Sequence, residues 1–143
     1  MAETTAVSRD LTLPELDQEA ARLWPALPSG GVVWLSGDLA SGKTTFVQAL
    51  VRAAGGTDDA RSPTFALVHR YDSPSGAIYH ADCYRLRDPS EAIDLDLPAL
   101  TRHARLVVVE WPERALAVLP GPDVHLRFSH VADPARRRVE RIG

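Results

Sequence analysis

The chain has 143 residues, of which 45% are hydrophobic and 24% charged, values typical of an ordinary globular domain. Its formal net charge of -3 excludes a protein that binds nucleic acid through its overall charge. A single cysteine, Cys83, excludes an internal disulfide and a zinc site built from several cysteines. No run approaches the roughly 20 apolar residues of a membrane span, and no secretory signal pattern is present. We therefore expect a cytoplasmic protein without membrane contact.

The first third of the chain predicts a strand, a glycine-rich loop and a helix in succession. Residues 1–9 are polar and predict a flexible tail, which a short strand at 10–13 and a helix beginning at Pro14 follow. The apolar, β-branched run at 32–36 predicts a buried strand. After the loop, apolar residues at helical spacing predict a helix that ends at a glycine pair, 55–56.

The remainder predicts more strands than helices. Two strand-like stretches, 61–71 and 76–84, flank a turn cluster and predict a β-hairpin. A weakly helical span precedes the run LVVVEW at 106–111, whose successive valines indicate a strand covered on both faces. A short helix and two final edge strands, at 124–130 and 136–142, complete the prediction. The predicted fold class is α/β: one domain over 1–143 with a mixed, mostly parallel sheet, an antiparallel hairpin and edge strands, and helices on both faces.

The loop matches the pattern G-x-x-x-x-G-K-[ST] in full, with the context of strand before and helix after that a phosphate-binding loop requires. Glycines at 37 and 42 allow a tight turn whose backbone N–H groups face phosphate oxygens. Lys43, the only lysine among 16 basic residues, supplies a compact positive charge for the β- and γ-phosphates. Thr44 supplies a hydroxyl for Mg²⁺. The predicted residues of the loop that bind the nucleotide, ATP or GTP, are Gly37, Asp38, Leu39, Ala40, Ser41, Gly42, Lys43, Thr44 and Thr45.

Two acidic residues are candidates for the catalytic and metal site, beside Lys43. Glu110 ends the run VVVE at 107–110, where the acid that assists Mg²⁺ binding in phosphate-loop proteins belongs. Asp82 ends the second strand of the hairpin and is a candidate to hold a metal-bound water or to orient the attacking one. Asp82 is equally suited to cap a helix or to pair with Arg85.

Other polar residues carry weaker signals. Ser62, Pro63 and Thr64 form either a switch-like loop that senses the γ-phosphate or a plain turn. The histidines lack metal-ligand spacing and are interpreted as structural or surface residues; they are His69, His80, His103, His125 and His130.

Four blocks in order resemble the TsaE (YjeE) family, the small P-loop ATPase of bacterial tRNA threonylcarbamoyladenosine synthesis. The blocks are GDLASGKTTF at 37–46, SPTFALV at 62–68, YHADCYRL at 79–86 and VVVEWPER at 107–114. The first is shared with many phosphate-loop proteins, whereas the other three at this spacing are characteristic of this family. The resemblance covers the chain from about Leu11 to its end.

The resemblance implies specific roles. Thr44 and Glu110 would ligate Mg²⁺, with Asp82 important for hydrolysis, and 62–64 would form the switch-like loop. The segment around Leu11 and Thr12 and the arginine-bearing tail, including Arg136, would lie near the adenine and ribose. Further signature residues, without an assigned role, are Tyr84, Arg85, Trp111 and Arg114.

The resemblance also implies an ATPase with ATP and Mg²⁺ as cofactors and with the proteins TsaD and TsaB as partners. Hydrolysis would reset their complex, and tRNA would be contacted only indirectly, in agreement with the acidic net charge. Two other functions use the same loop: a small P-loop kinase and a non-catalytic ATP-binding adaptor. Against the kinase, the sequence has no arginine-rich helical lid and a hairpin occupies that part of the chain.

Overall fold

The computed structural model describes residues 7–38, 40–57, 61–65, 68–88 and 90–142. The strands in these ranges are β1 Val7–Leu11, β2 Gly31–Gly37, β3 Arg61–Phe65, β4 Val68–Ser73, β5 Gly76–Asp82, β6 Leu106–Glu110, β7 Val124–His130 and β8 Arg137–Arg141. The α-helices are α1 Leu13–Leu23, α2 Lys43–Ala53, α3 Ser90–Leu95 and α4 Leu97–Leu100. Short 3-10 turns span Trp24–Ala26, Cys83–Arg85, Pro112–Arg114 and Leu116–Val118. None of the described helices is long and apolar enough to cross a membrane.

The described strands form one mixed sheet in the order β1-β8-β7-β2-β6-β5-β4-β3. Its centre is parallel, since β2 pairs in parallel with β7 and β6, and β6 pairs in parallel with β5. The outer pairs are antiparallel. The α/β class and the mixed sheet are confirmed, although parallel pairing is limited to this centre. Because the parallel strands share one direction, the carboxyl ends of β2, β5 and β6 lie at the same edge.

Helices cover both faces of the sheet, as the sequence predicts. On one face α1 and α2 pack on alternate residues of the central strands, including Val33 and Val108, which are fully buried. On the other face α3 and α4 contribute Ala92 and Leu97 to a second cluster with Val107 and Val109 of β6. Consecutive residues of β6 therefore belong to different cores, which explains its unbroken valine run.

Both carboxy-terminal strands are interior, so their prediction as edge strands is wrong. β7 lies between β2 and β8, and β8 lies between β7 and β1. The edge on this side is β1, whose Val7 pairs with Arg141. β1 also takes up the last three residues of the predicted tail, 7–9, while 1–6 lie outside the described residues. A pairing between the two ends of a chain leaves no local signal in the sequence.

The first half of the predicted hairpin is divided into two strands. The stretch 61–71, predicted as one strand, contains β3 and β4, which run antiparallel with Phe65 opposite Val68. The predicted turn between β4 and β5 is confirmed, with Ser73 opposite Gly76. Consequently Ser62, Pro63 and Thr64 lie on the outermost strand β3 and not in a loop. Their proposed sensing of phosphate stays a prediction.

Candidate functional site

The glycine-rich loop leaves the carboxyl end of β2 and enters the amino terminus of α2. Gly37 has φ +130°, and a Cβ built on it would stand 2.0 Å from the backbone oxygen of Phe128 on β7. Gly42 has φ +103° and is the residue before the first turn of α2. Positive φ values of this kind favour glycine. The loop conformation thus depends on its two glycines, and Gly37 also allows β7 to approach closely.

Replacing Gly37 by alanine is expected to lower the free energy of unfolding by about 3 kcal/mol, because overpacking and backbone strain act together. Urea denaturation measures this change. Gly121→Ala is the matched control, since a Cβ at Gly121 has no neighbour within 4 Å and should leave stability nearly unchanged. Equal midpoints for the two variants would contradict the steric argument.

Lys43 begins α2 and turns its ammonium back into the loop. The residue is 4% exposed, and Nζ donates to the backbone oxygens of Gly37 and Asp38. The same nitrogen stands 4.3 Å from the centre of the Trp111 ring. Burial lowers the pKa of Lys43, and the opposing charges of Glu110 and Asp82 limit that effect. The positive charge is therefore held at the centre of the loop by backbone dipoles and by an aromatic face.

Glu110 lies at the carboxyl end of β6, 4% exposed, beside the start of α2. Its Oε2 accepts a hydrogen bond from Thr44 Oγ1 at 3.0 Å and lies 2.6 Å from His80 Nε2. Burial alone would raise the pKa of Glu110, but the hydrogen bonds from His80 and Thr44 and the charge of Lys43 outweigh it, and the pKa is lowered. An ionised carboxylate thus stands next to the hydroxyl of Thr44.

Asp82 ends β5 directly opposite Glu110 in the parallel register. The carboxylate is half-buried, and Oδ1 accepts a hydrogen bond from the backbone N–H of Tyr84 at 3.0 Å. Asp82 therefore caps the 3-10 turn Cys83–Arg85, one of the two structural roles considered for it from sequence. The same residue lines the cavity described next, so capping does not remove it from the site.

A cavity of about 520 Å³ opens above the loop, within the 300–1,000 Å³ range of small-molecule sites. The predicted residues that line it are Leu11, Ala40, Ser41, Gly42, Lys43, Thr44, Thr45, Asp82, Glu110 and Trp111. The other lining residues are Leu13, at the end of the segment predicted near the adenine and ribose, Arg137 of the arginine-bearing tail, and Pro134 and Ala135, which the sequence did not single out. Pro134 and Ala135 precede β8 and Arg137 begins it, and the pairing of β8 with β1 brings these three residues to the cavity.

Two residues predicted to contact the nucleotide have other partners. Thr12 caps α1: its hydroxyl accepts from the N–H of Glu15, whose carboxylate accepts in return from the N–H of Thr12. Arg136 donates to the backbone oxygen of Asp10 at 3.1 Å and to the Glu15 carboxylate at 3.3 Å. Within the described ranges neither residue is part of the cavity lining, whereas Arg137 is.

Three further signature residues, Trp111, Tyr84 and Arg114, lie in succession at the cavity. The Tyr84 and Trp111 rings lie 5.0 Å apart, and the Arg114 guanidinium stands 5.2 Å from the Tyr84 ring. Trp111 follows Glu110 and adopts φ +59°, which is rare for a large side chain. With this backbone conformation its ring lies beside the ammonium of Lys43. Leu39 lies outside the described residues, as does the side chain of Arg85.

The oxygen atoms at the carboxyl edge fit a magnesium ion. Mg²⁺ prefers hydroxyl, carboxylate and phosphate oxygens, and is commonly held by one or two carboxylates together with substrate phosphates. Thr44 and Glu110 offer one hydroxyl and one ionised carboxylate 3.0 Å apart, and Asp82 lies on the adjacent strand. No cluster of three or more metal-binding side chains was found in the described part of the chain. The donor set therefore suits a metal that is shared with a phosphate ligand.

His80 is a further residue of the site that sequence reasoning missed. Because the histidines lack metal-ligand spacing, the sequence predicts a structural or surface role for His80. In the fold, however, His80 contacts Glu110 from the neighbouring strand. A usable signal was present: side chains alternate along a strand, so His80 and Asp82 share one face of β5.

The strand, glycine-rich loop and helix, with an acid at the end of the adjacent parallel strand, have the geometry of the phosphate-binding-loop class of proteins. The family model described as "Threonylcarbamoyl adenosine biosynthesis protein TsaE" matches residues 12–139. The chain belongs to the TsaE family.

Relatives agree with this assignment, and one solved structure shares the fold. The protein named tRNA threonylcarbamoyladenosine biosynthesis protein TsaE of Haemophilus influenzae is 32% identical over 78% of this chain and 69% of its own length. Proteins of the same name are 38% identical in Nostoc sp., over 82% and 74%, and 33% identical in Bacillus subtilis, over 86% and 77%. The crystal structure of Bacillus subtilis YdiB superposes with a TM-score of 0.76 at 21% identity, covering 99% of this chain and 87% of that one. The last comparison supports the fold.

Proposed function

We propose that this protein is the ATP-binding and ATP-hydrolysing component of a cytoplasmic bacterial machinery for tRNA N6-threonylcarbamoyladenosine synthesis. The observation that carries the proposal is the convergence of Lys43, Thr44 and Glu110 at one end of a cavity of about 520 Å³. The family assignment and the names of the relatives supply the pathway.

The chain's own groups divide the work. Backbone N–H groups of the loop, the amino terminus of α2 and the Lys43 ammonium bind the phosphates of ATP. Thr44 and Glu110 hold Mg²⁺, which neutralises charge on the phosphates when it is bound. Asp82 lies at the end of β5, opposite Glu110 on β6, and orients the attacking water. The apolar part of the cavity, around Leu11 and Leu13, receives the base.

We further propose that the protein acts with TsaD and TsaB and that hydrolysis resets their complex. The net charge of -3 favours tRNA being held by those partners and not by this chain. An ATPase whose hydrolysis resets a protein complex does not transfer phosphate to a small molecule, so it does not need a pocket for a phosphate acceptor.

The test is phosphate release from ATP by the protein alone and with the TsaD–TsaB pair. We expect slow release alone and at least about a tenfold increase with the pair, as in P-loop NTPases whose site a partner protein completes. Transfer of phosphate to a small acceptor would support a kinase instead. Tight ATP binding with no release in either condition would support a non-catalytic adaptor.

A further inference from the structure

One buried histidine reaches the site from the face of β5 that also carries Asp82. His80 is 4% exposed, and its Nε2 lies 2.6 Å from Oε2 of Glu110. An ionised carboxylate can only accept hydrogen bonds, so Nε2 carries the proton and donates.

Two donors meet on the same carboxylate oxygen. Thr44 Oγ1 and His80 Nε2 both bind Oε2 of Glu110, and no hydrogen bond found in the described part of the chain uses Oε1. The carboxylate is thus anchored through one oxygen, while the other stays available to a ligand. Carboxylates that bind metals are commonly held in this way by a second hydrogen-bonding group.

The other ring nitrogen of His80 argues against a role in packing alone. Nδ1 is buried and has no hydrogen-bond partner among the described residues. A buried polar atom without a partner is unfavourable, and an apolar ring would fill the same space without that cost. The bond from Nε2 to Glu110 is what distinguishes histidine from such a ring.

We propose that His80 is a positioning residue for Glu110, which holds the carboxylate in the orientation that receives Mg²⁺ with the bound nucleotide. This inference rests on the proposed function, because it assumes that Glu110 is a metal ligand. His80 itself touches neither metal nor nucleotide in this scheme.

Two substitutions separate donation from packing. His80→Phe keeps a ring and removes the donor, whereas His80→Gln loses the ring and places an amide N–H at the level of Nε2. Calorimetric titration of Mg²⁺ into the ADP-bound protein measures the metal affinity, and ADP titration in EDTA measures nucleotide binding without metal. We expect the Phe variant to lose about tenfold or more in Mg²⁺ affinity, the Gln variant to stay within about threefold of the wild type, and both to bind ADP normally in EDTA.

His125→Gln is the matched control, because His125 lies on the other face of the sheet, 2.8 Å from Ser36, and should leave Mg²⁺ affinity unchanged. Wild-type affinity in the Phe variant, or equal losses in Phe and Gln, would overturn the proposal. If thermal denaturation shows that the Phe chain does not fold, His80→Asn replaces it, since its shorter amide does not reach Glu110. A wild-type protein without Mg²⁺-dependent nucleotide binding would overturn the proposed function as well, so the two failures are distinguishable.

Discussion

Lys43→Ala is expected to weaken ATP binding by at least about 100-fold and to abolish hydrolysis. The ammonium is the only lysine charge in the chain and lies inside the loop, where its hydrogen bonds to Gly37 and Asp38 keep it in place. Charge-assisted hydrogen bonds contribute about 1.5–3 kcal/mol each, so losing two of them to phosphate accounts for a change of this size. Equilibrium titration with a fluorescent ATP analogue measures the affinity.

Arg102→Ala is the control for a simple loss of positive charge. Arg102 is exposed in the turn that precedes β6, at the amino end of the parallel strands and therefore opposite the loop. The Arg102→Ala variant should bind ATP with an affinity within about twofold of the wild type, because a charge so far from the loop is screened by salt. Lys43→Ala chains that bind ATP with unchanged affinity would show that the loop is not the phosphate site.

Glu110→Ala is expected to lower the turnover of ATP by more than about 100-fold while sparing most binding in EDTA. The effect should exceed the roughly 10–100-fold loss typical when only a supporting residue of a metal site is removed. Phosphate release and ATP titration with and without Mg²⁺ measure the two quantities. Hydrolysis at the unaltered rate would show that the acid of β6 does not assist the metal.

The isosteric change Glu110→Gln separates metal binding from stability. Alanine leaves the buried N–H of His80 without an acceptor, which costs about 1–3 kcal/mol of stability, whereas the glutamine oxygen still accepts it. We therefore expect the Glu110→Gln variant to lose turnover as the Glu110→Ala variant does, but to have a melting temperature closer to that of the wild type. Glu140→Gln, on β8 beyond the site, controls for the lost negative charge and should retain turnover.

Much of the centre of the fold was predictable because its signals are local. Glycine spacing, the valine run of β6 and the apolar period of α2 each lie within a few residues and correspond to β2, α2 and β6 as found. The positions of Lys43, Thr44 and Glu110 follow from these elements, since parallel strands bring their carboxyl ends to one edge. The roles assigned to these residues stay predictions until they are measured.

The outer strands were less predictable because their pairing joins distant residues. The sequence of β8 alone predicts an edge strand, and only its pairing with β1, in which Arg141 lies opposite Val7, makes it interior. The same pairing brings Pro134, Ala135 and Arg137 to the cavity, while Arg136 turns to Asp10. Two strands so short and so polar carry no sequence pattern that specifies their neighbour.

The sequence by itself therefore determined the glycine-rich loop: Gly37, Gly42 and Lys43 act through backbone conformation and charge within a few residues of one another. The tertiary structure alone decided what surrounds that loop. It placed His80 against Glu110 from another strand and Trp111 over Lys43. The physical reason is that a φ angle is a property of one residue, whereas a hydrogen bond between strands exists only after the sheet has set their order and register.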